Sequence, residues 1–497
     1  MASNHNRKST MQPVPPGKNP GRPTQASYQN SVFKMRKLRL LIIGLLAAYS
    51  RPELYAGPVF PEPCAGGACG VKTINTNFVE VGTLGNGGLP LIVGNKMTIQ
   101  QLSNQAVLNW ASFNLSKDAS VIFNQPSATA SVLNRIWSAD PSLIAGKISA
   151  NGQVYLINTN GIVFANGAQV DTGALVASTL NITNDLFLNG ILSDNAGSVI
   201  PAAFSAQNGV AGDITVEGGA ILNSASGGRI FLFAPQITNN GTITTPDGQT
   251  ILAAGKQVYL AASSDPGMRG LLVQVNADAL AANGTVTNNG TISADRGNVT
   301  LAGLLVNQRG TARATTSVNA NGSIYLQAGD VSKSTNTIGV PDQFYTGGAL
   351  DNENGVAVTL PGKALLLPTV GGTVTLGAGS KTEVLLDATD KATITDKQVF
   401  QQSNIGLVGK NIILEGKTGT LAGAQVTAKA GLVTALAAED PYQSQVNDNN
   451  LAEVAKDSSR IYVGDGAKID VSGVKNVQLK RQLLEVELRS SQLADAP

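Results

Sequence analysis

The chain has 497 residues, a net charge of +2, 14% charged residues and 55 glycines. That balance excludes a charged disordered tail and a basic nucleic-acid binder, while 42% hydrophobic residues suffice for a core. One histidine, His5, and two cysteines, Cys64 and Cys69, leave no material downstream for a His-dependent triad, a Cys–His nucleophile or a His-rich metal site. No catalytic residue, metal or cofactor is therefore expected.

Residues 1–56 read as an extended leader. The first part is rich in Pro, Asn, Gln and Ser and has no apolar period. Lys34, Arg36, Lys37 and Arg39 then precede an apolar stretch from Leu40 to Ala48, which is shorter than the ~20 residues of a membrane span. Basic, then apolar, then small residues is the order of a signal peptide. Cleavage after Ser50 or Ala56 fits, and Met35 is a candidate start; a membrane-anchoring helix is the alternative. Passage through the general inner-membrane export machinery brings Cys64 and Cys69 into an oxidising compartment. There the pair is expected to close a small Gly-rich loop as a structural disulfide. A redox pair would need nearby cations or a helix start. Residues 57–103 are assigned to an N-terminal cap containing this loop.

From residue 104 onward the chain repeats itself. Gly152-Gln153-Val154-Tyr155-Leu156 is echoed by segments starting at Gly228, Gly248, Gly297, Gly322 and Gly372. Asn-Asn-Gly-Thr-Ile occurs at Asn239 and again at Asn288. The spacings fall near multiples of ~25 residues, the mark of one supersecondary unit used many times. Alternation in Ile214-Thr215-Val216 and Val299-Thr300-Leu301, with Gly and Asn between, indicates strands and turns. Asn-Gly hairpins would give an antiparallel sandwich. About three short strands per ~25 residues fit an all-β, right-handed parallel β-helix better, a single-stranded pectin-lyase-like solenoid. Val, Ile and Leu then stack ~4.8 Å apart, and Gly and Asn supply positive φ at the corners. Length permits at most ~18 coils, a rod of ~85 Å, shortened by insertions. Irregular insertions are expected near 330–353 and 439–459, and the missing terminal cap suggests a truncated product.

Asn104 to Ile182 resembles the N-terminal secretion domain of the filamentous haemagglutinin family of two-partner-secreted exoproteins. The segments that carry the resemblance are Val107–Asn114, Phe123-Asn124-Gln125-Pro126-Ser127, Val132-Leu133-Asn134-Arg135-Ile136, Ala150–Ile162 and Leu175–Leu180. The resemblance implies a secretion domain over 104–260 and continuing repeats over 261–497. It also implies a secreted or surface-exposed, adhesin-like exoprotein. Its partner would be an outer-membrane β-barrel transporter with periplasmic domains. A cytolysin or toxin-delivery exoprotein of the same class is the alternative. The implied recognition residues are Asn158, Thr159, Asn160, Gly161 and Ile162, together with Asn124, Gln125 and Pro126. Thr159 stands where the family carries proline.

Each functional reading has a structural rival. Asn158, Asn160 and Gly161 could be read by the transporter or could serve only a corner. Trp110 and Trp137 could mark a sugar-binding surface but are expected in the core or cap. The Asn-x-Ser/Thr triplets at Asn114, Asn181, Asn240, Asn283, Asn289, Asn298 and Asn321 arise readily in polar strand-and-turn sequence. A polysaccharide-degrading β-helix needs converging carboxylates, whereas Asp118, Asp140, Asp171, Asp213 and Asp247 are scattered. An enzyme is not expected, and the host or bacterial surface ligand is not written in the residues.

Overall fold

The computed structural model describes residues 57–64, 69, 78–193, 202–207, 209, 211–262, 270–277, 284–317, 321–331, 370–387, 402–438 and 458–474. The chain divides into Met1–Gly57 and Pro58–Pro497. The leader with His5, most of the insertions near 330–353 and 439–459, and the end of the chain lie outside the described residues.

Pro58–Pro497 builds a parallel β-helix. Strands that alternate a β-branched or Leu side chain inward with a polar one outward cannot bury that inward face alone. They do so by coiling. Successive turns place one strand in each of three sheets, and each strand pairs in parallel with its counterpart one coil on. In the first sheet Gln153–Asn158 lies between Ser131–Ile136 and Ala174–Ser178. In the second, Ile162–Phe164 lies between Ser142–Ile144 and Ile214–Val216. In the third, Gln169–Thr172 lies between Lys147–Ala150 and Ile221–Ser224. The register stacks Val154, Leu175, Ile230, Thr250, Val299 and Ile324 in one buried row, apolar but for Thr250.

The second sheet has nine strands, which counts the complete coils among the described residues. That is half the coils that length alone allowed. Asn239 and Asn288, 49 residues apart, are direct neighbours in register. The spacing that looks like two repeats is one coil with a hairpin inserted. Gly372 also departs from the other copies of its motif, because Thr373–Leu376 belongs to the second sheet and not the first.

The hairpin Gln257–Ala262 and Leu271–Asn276, joined antiparallel by Phe204–Ser205, covers the outer face of the first sheet. Phe231, Phe233 and Ile251 point outward into this second core, while Ile230, Leu232 and Leu252 point inward. A sheet buried on both faces needs continuous apolar runs, which explains Ile230-Phe231-Leu232-Phe233-Ala234. The short helix Asn184–Asn189 belongs to the same cover. Long stretches of sequence separate a first-sheet strand from the next second-sheet strand after Ser178, Ala254, Asp330 and Ala437.

At the N-terminal end Glu62–Pro63 and Val79–Val81 pair antiparallel with Gln105–Ser112 and close that edge of the first sheet. Cys64 and Cys69 are joined in a disulfide, as expected. Trp110 is fully buried, edge-on to Phe78 and Phe113. Trp137 is 43% exposed, outside the core that the expected core-or-cap placement allowed. The corner asparagines also differ from expectation. Of the described asparagines only Asn86 has positive φ. Asn158, Asn160, Asn239 and Asn288 instead serve their corners by hydrogen bonding.

Candidate functional site

Asn158 ends the strand Gln153–Asn158, two residues past inward-facing Leu156, so alternation turns its amide into the coil interior. It is fully buried and its polar atoms are paired. Nδ2 donates to the Asp140 carbonyl (3.1 Å) and Ser142 Oγ (2.9 Å), and Oδ1 accepts from Asn160 N (2.9 Å). Asn160 is exposed, and its Nδ2 donates to the Ser138 carbonyl of the preceding coil (2.8 Å). Gly161 has φ +126, and a Cβ there would lie 3.2 Å from Pro141. The positive φ calls for glycine, and the approach to Pro141 leaves little room for a side chain. Residue 159 supplies its carbonyl to Gly212 N (2.8 Å), a group proline also carries, so Thr159 leaves that bond intact. Ile162 is buried and opens the next strand, its N–H donating to the Asp213 carbonyl.

The second expected group sits at another corner, between the third and first sheets. Gln125 is buried there. Its Nε2 donates to Gln101 Oε1 (3.1 Å) and the Ala130 carbonyl (3.2 Å), and its Oε1 accepts from Gly152 N (3.0 Å). Asn124 and Pro126 are exposed beside it. The two groups therefore lie at opposite ends of the first-sheet strands and do not converge on one patch. The third corner holds a matching ladder that motif reading did not assign. Asn239 donates to Asn288 (2.8 Å) and Asn288 to Gln308 (2.7 Å), all fully buried.

A cleft of about 540 Å³ opens beside the first corner, lined by Thr159, Asn160, Trp137, Arg135, Glu80 and Asp185 among others. Arg135 faces outward from the first sheet. Its Nη1 donates to Asn184 Oδ1 (2.9 Å) and lies 3.4 Å from Glu80, and its Nη2 donates to the Ile182 carbonyl (2.9 Å). Glu80 accepts in addition from Asn184 (2.7 Å) and Asn109 (3.1 Å), and Trp137 Nε1 donates to Asn109 (2.8 Å). The Arg135 side chain is 12% exposed. Burial lowers its pKa from the ordinary value, partly opposed by Glu80. Sequence reading missed this network because Glu80, Arg135 and Asn184 come from the cap, a coil and an insertion.

Asp140 and Asp213 flank the Asn158–Ile162 corner through their carbonyls, and Asp247 shares Arg296 with Asp387. Asp247 is gripped by Arg296 (2.6 Å), and Asp171 pairs with Lys147 (3.7 Å) and Asn223 (3.0 Å).

The described residues thus form a coiled β-solenoid with an antiparallel N-terminal cap and a hydrogen-bonded Asn-x-Asn-Gly-Ile corner. Residues 82–340, more than half the chain, match the TPS secretion domain, and the protein belongs to that family of two-partner secretion exoproteins. Two heme/hemopexin-binding proteins of Haemophilus influenzae are relatives. One is 30% identical over 250 residues, covering 48% of this chain, and the other 40% identical over 87 residues, covering 18%. The matches span 26% and 9% of those relatives' own lengths. The HMW1 secretion domain from Haemophilus influenzae aligns over 80% of this chain and 97% of its own, at 19% identity and a TM-score of 0.47.

Proposed function

We propose that the protein is a non-enzymatic exoprotein, exported by its signal peptide into the periplasm. A dedicated outer-membrane β-barrel transporter then reads its N-terminal domain and passes it to the cell surface or medium. The match of residues 82–340 to the secretion-domain family carries this reading. Folding into stacked coils outside the cell supplies a direction, since each new coil buries its inward side chains on the last. The secreted solenoid acts as an adhesin-like surface, which its low charge supports. The test is export from a Gram-negative host with and without the cognate transporter. Release only in its presence supports the assignment, and release without it overturns it.

The named relatives favour a second reading, capture of haem or of a haem-carrying protein. Beyond the leader these residues offer no histidine for direct haem ligation, so capture of a haem-carrying protein is the form of this reading to test first. Binding of immobilised haemopexin by the secreted chain distinguishes this from adhesion to cells.

A further inference from the structure

Of the two tryptophans, Trp110 is fully buried, whereas Trp137 is exposed and lines the cleft of about 540 Å³ beside the Asn158–Ile162 corner. Its indole N–H is donated to Asn109, which fixes the ring and leaves carbon surface, not a donor, exposed. The other groups at the opening are polar and of both kinds. Thr183 Oγ1 accepts from Leu186 N, so its hydroxyl hydrogen is left to donate. Asn160 spends one amide hydrogen on the Ser138 carbonyl and keeps a second, together with Oδ1. Thr159 adds a hydroxyl, and exposed Asp185 adds a carboxylate. Arg135 and Glu80 are paired with each other and with Asn184 in the wall, so their charges cancel there and Asp185 sets the sign of the opening.

A fixed indole beside mixed donors and acceptors matches a pyranose, which has a C–H face to lay on carbon surface and hydroxyls that both give and accept hydrogen bonds. A lone cation would use the ring and the carboxylate but leave the hydroxyl and amide hydrogens without acceptors. A sulfate, or the carboxylate of a sialic acid, would meet Asp185 as a like charge. The volume lies in the range of small-ligand sites. Hydrolysis needs two carboxyl groups across the scissile bond, and Glu80 is committed to the wall.

We propose that this cleft binds a neutral sugar ring of a cell-surface glycan without cleaving it. The inference rests on the adhesin-like reading above and names its ligand class. The cleft forms only when the coils, the cap strand Val79–Val81 and the helix Asn184–Asn189 have folded together, so it is presented outside the cell, where such glycans lie.

The test applies the purified secreted chain to an array of neutral oligosaccharides and of the same oligosaccharides bearing sialic acid. At least one neutral glycan should be retained, and its sialylated form bound at least fivefold more weakly. Trp137→Ala should abolish retention. Asp185→Asn, at an exposed position, should weaken it at least fivefold at unchanged thermal stability, and it decides the matter if Trp137→Ala does not fold. In solution the retained glycan should give a saturable shift of tryptophan emission to shorter wavelength, absent from Trp137→Phe. An array with no neutral glycan retained, retention by folded Trp137→Ala, retention unchanged by Asp185→Asn, or a sialylated form bound as well as its neutral parent overturns the proposal. Failure of the wild-type secreted chain to attach to any cell would instead sink the adhesin-like reading, and the array would still report on the cleft.

Discussion

Asn158 and Asn160 lie two positions apart and do different work. Replacing Asn158 by Ala strips the Asp140 carbonyl and Ser142 of a buried donor, costing about 1–3 kcal/mol. Asn160→Ala frees one carbonyl that water can reach, so its cost is below about 1 kcal/mol. Thermal melts of the two purified variants check this. A secretion defect in Asn160→Ala at near wild-type stability then belongs to recognition. Asp213 gives this corner a pH signature, because desolvation raises its carboxyl pKa above the ordinary value. The fold thus favours the protonated form. The stabilisation this gives is complete below the unfolded pKa and lost as pH rises through the folded one. Asp213→Asn should accordingly flatten stability against pH across the acidic limb and leave neutral-pH stability equal or slightly higher, read by melts at a series of pH values. The identity of the corner residues was visible in sequence. Their inward or outward direction was not, because alternation assigns a face only once the strand's end at Asn158 is known.

At the scale of the element, the Asn239–Asn288–Gln308 ladder behaves as one unit. Asn288→Leu removes the middle member and takes from Asn239 Nδ2 its acceptor and from Gln308 Oε1 its donor, each buried loss costing about 1–3 kcal/mol. The variant should lose more stability than Asn240→Ala, which sits exposed one residue from the same ladder. Leu232→Asp, pointing into the coil core, should prevent folding, because a buried unpaired charge costs several kcal/mol. Loss of the β-type circular dichroism spectrum checks it. The strands themselves were readable from alternation and from repeated glycine-led segments. The coil count was not, since 49 residues between Asn239 and Asn288 suit two bare coils as well as one coil carrying a hairpin. Nothing in local periodicity separates those cases. Only the outward apolar residues Phe231 and Phe233 hinted at a cover, and a continuous apolar run does not name its partner.

Within the whole β-helical unit, stability passes from coil to neighbouring coil, so the ends carry special weight. The cap strands Glu62–Pro63 and Val79–Val81 satisfy the edge of Gln105–Ser112, and Phe78 seals Trp110. Deleting residues 57–95 should uncover that edge and drive self-association, visible as higher-mass species in size-exclusion chromatography. The disulfide closes only a short loop and should contribute little to thermal stability by comparison. Reduction should leave the melting curve nearly unchanged while the cap deletion does not.

The repeated departure of chain between first-sheet and second-sheet strands has a practical reading. That seam already accommodates long stretches of sequence after Ser178, Ala254, Asp330 and Ala437, while the coils on either side keep their register. Lengthening a loop is thermodynamically cheap, about 0.6 kcal/mol for each doubling. The seam therefore works as a mounting rail for cargo. Gly303-Leu304-Leu305, where the rail is bare, should accept a foreign epitope of twenty or thirty residues and present it on an otherwise native exported protein. The same graft between Asn239 and Thr242 would break the buried bond from Gly241 N to Asn239 Oδ1 beside the amide ladder and should cost far more stability.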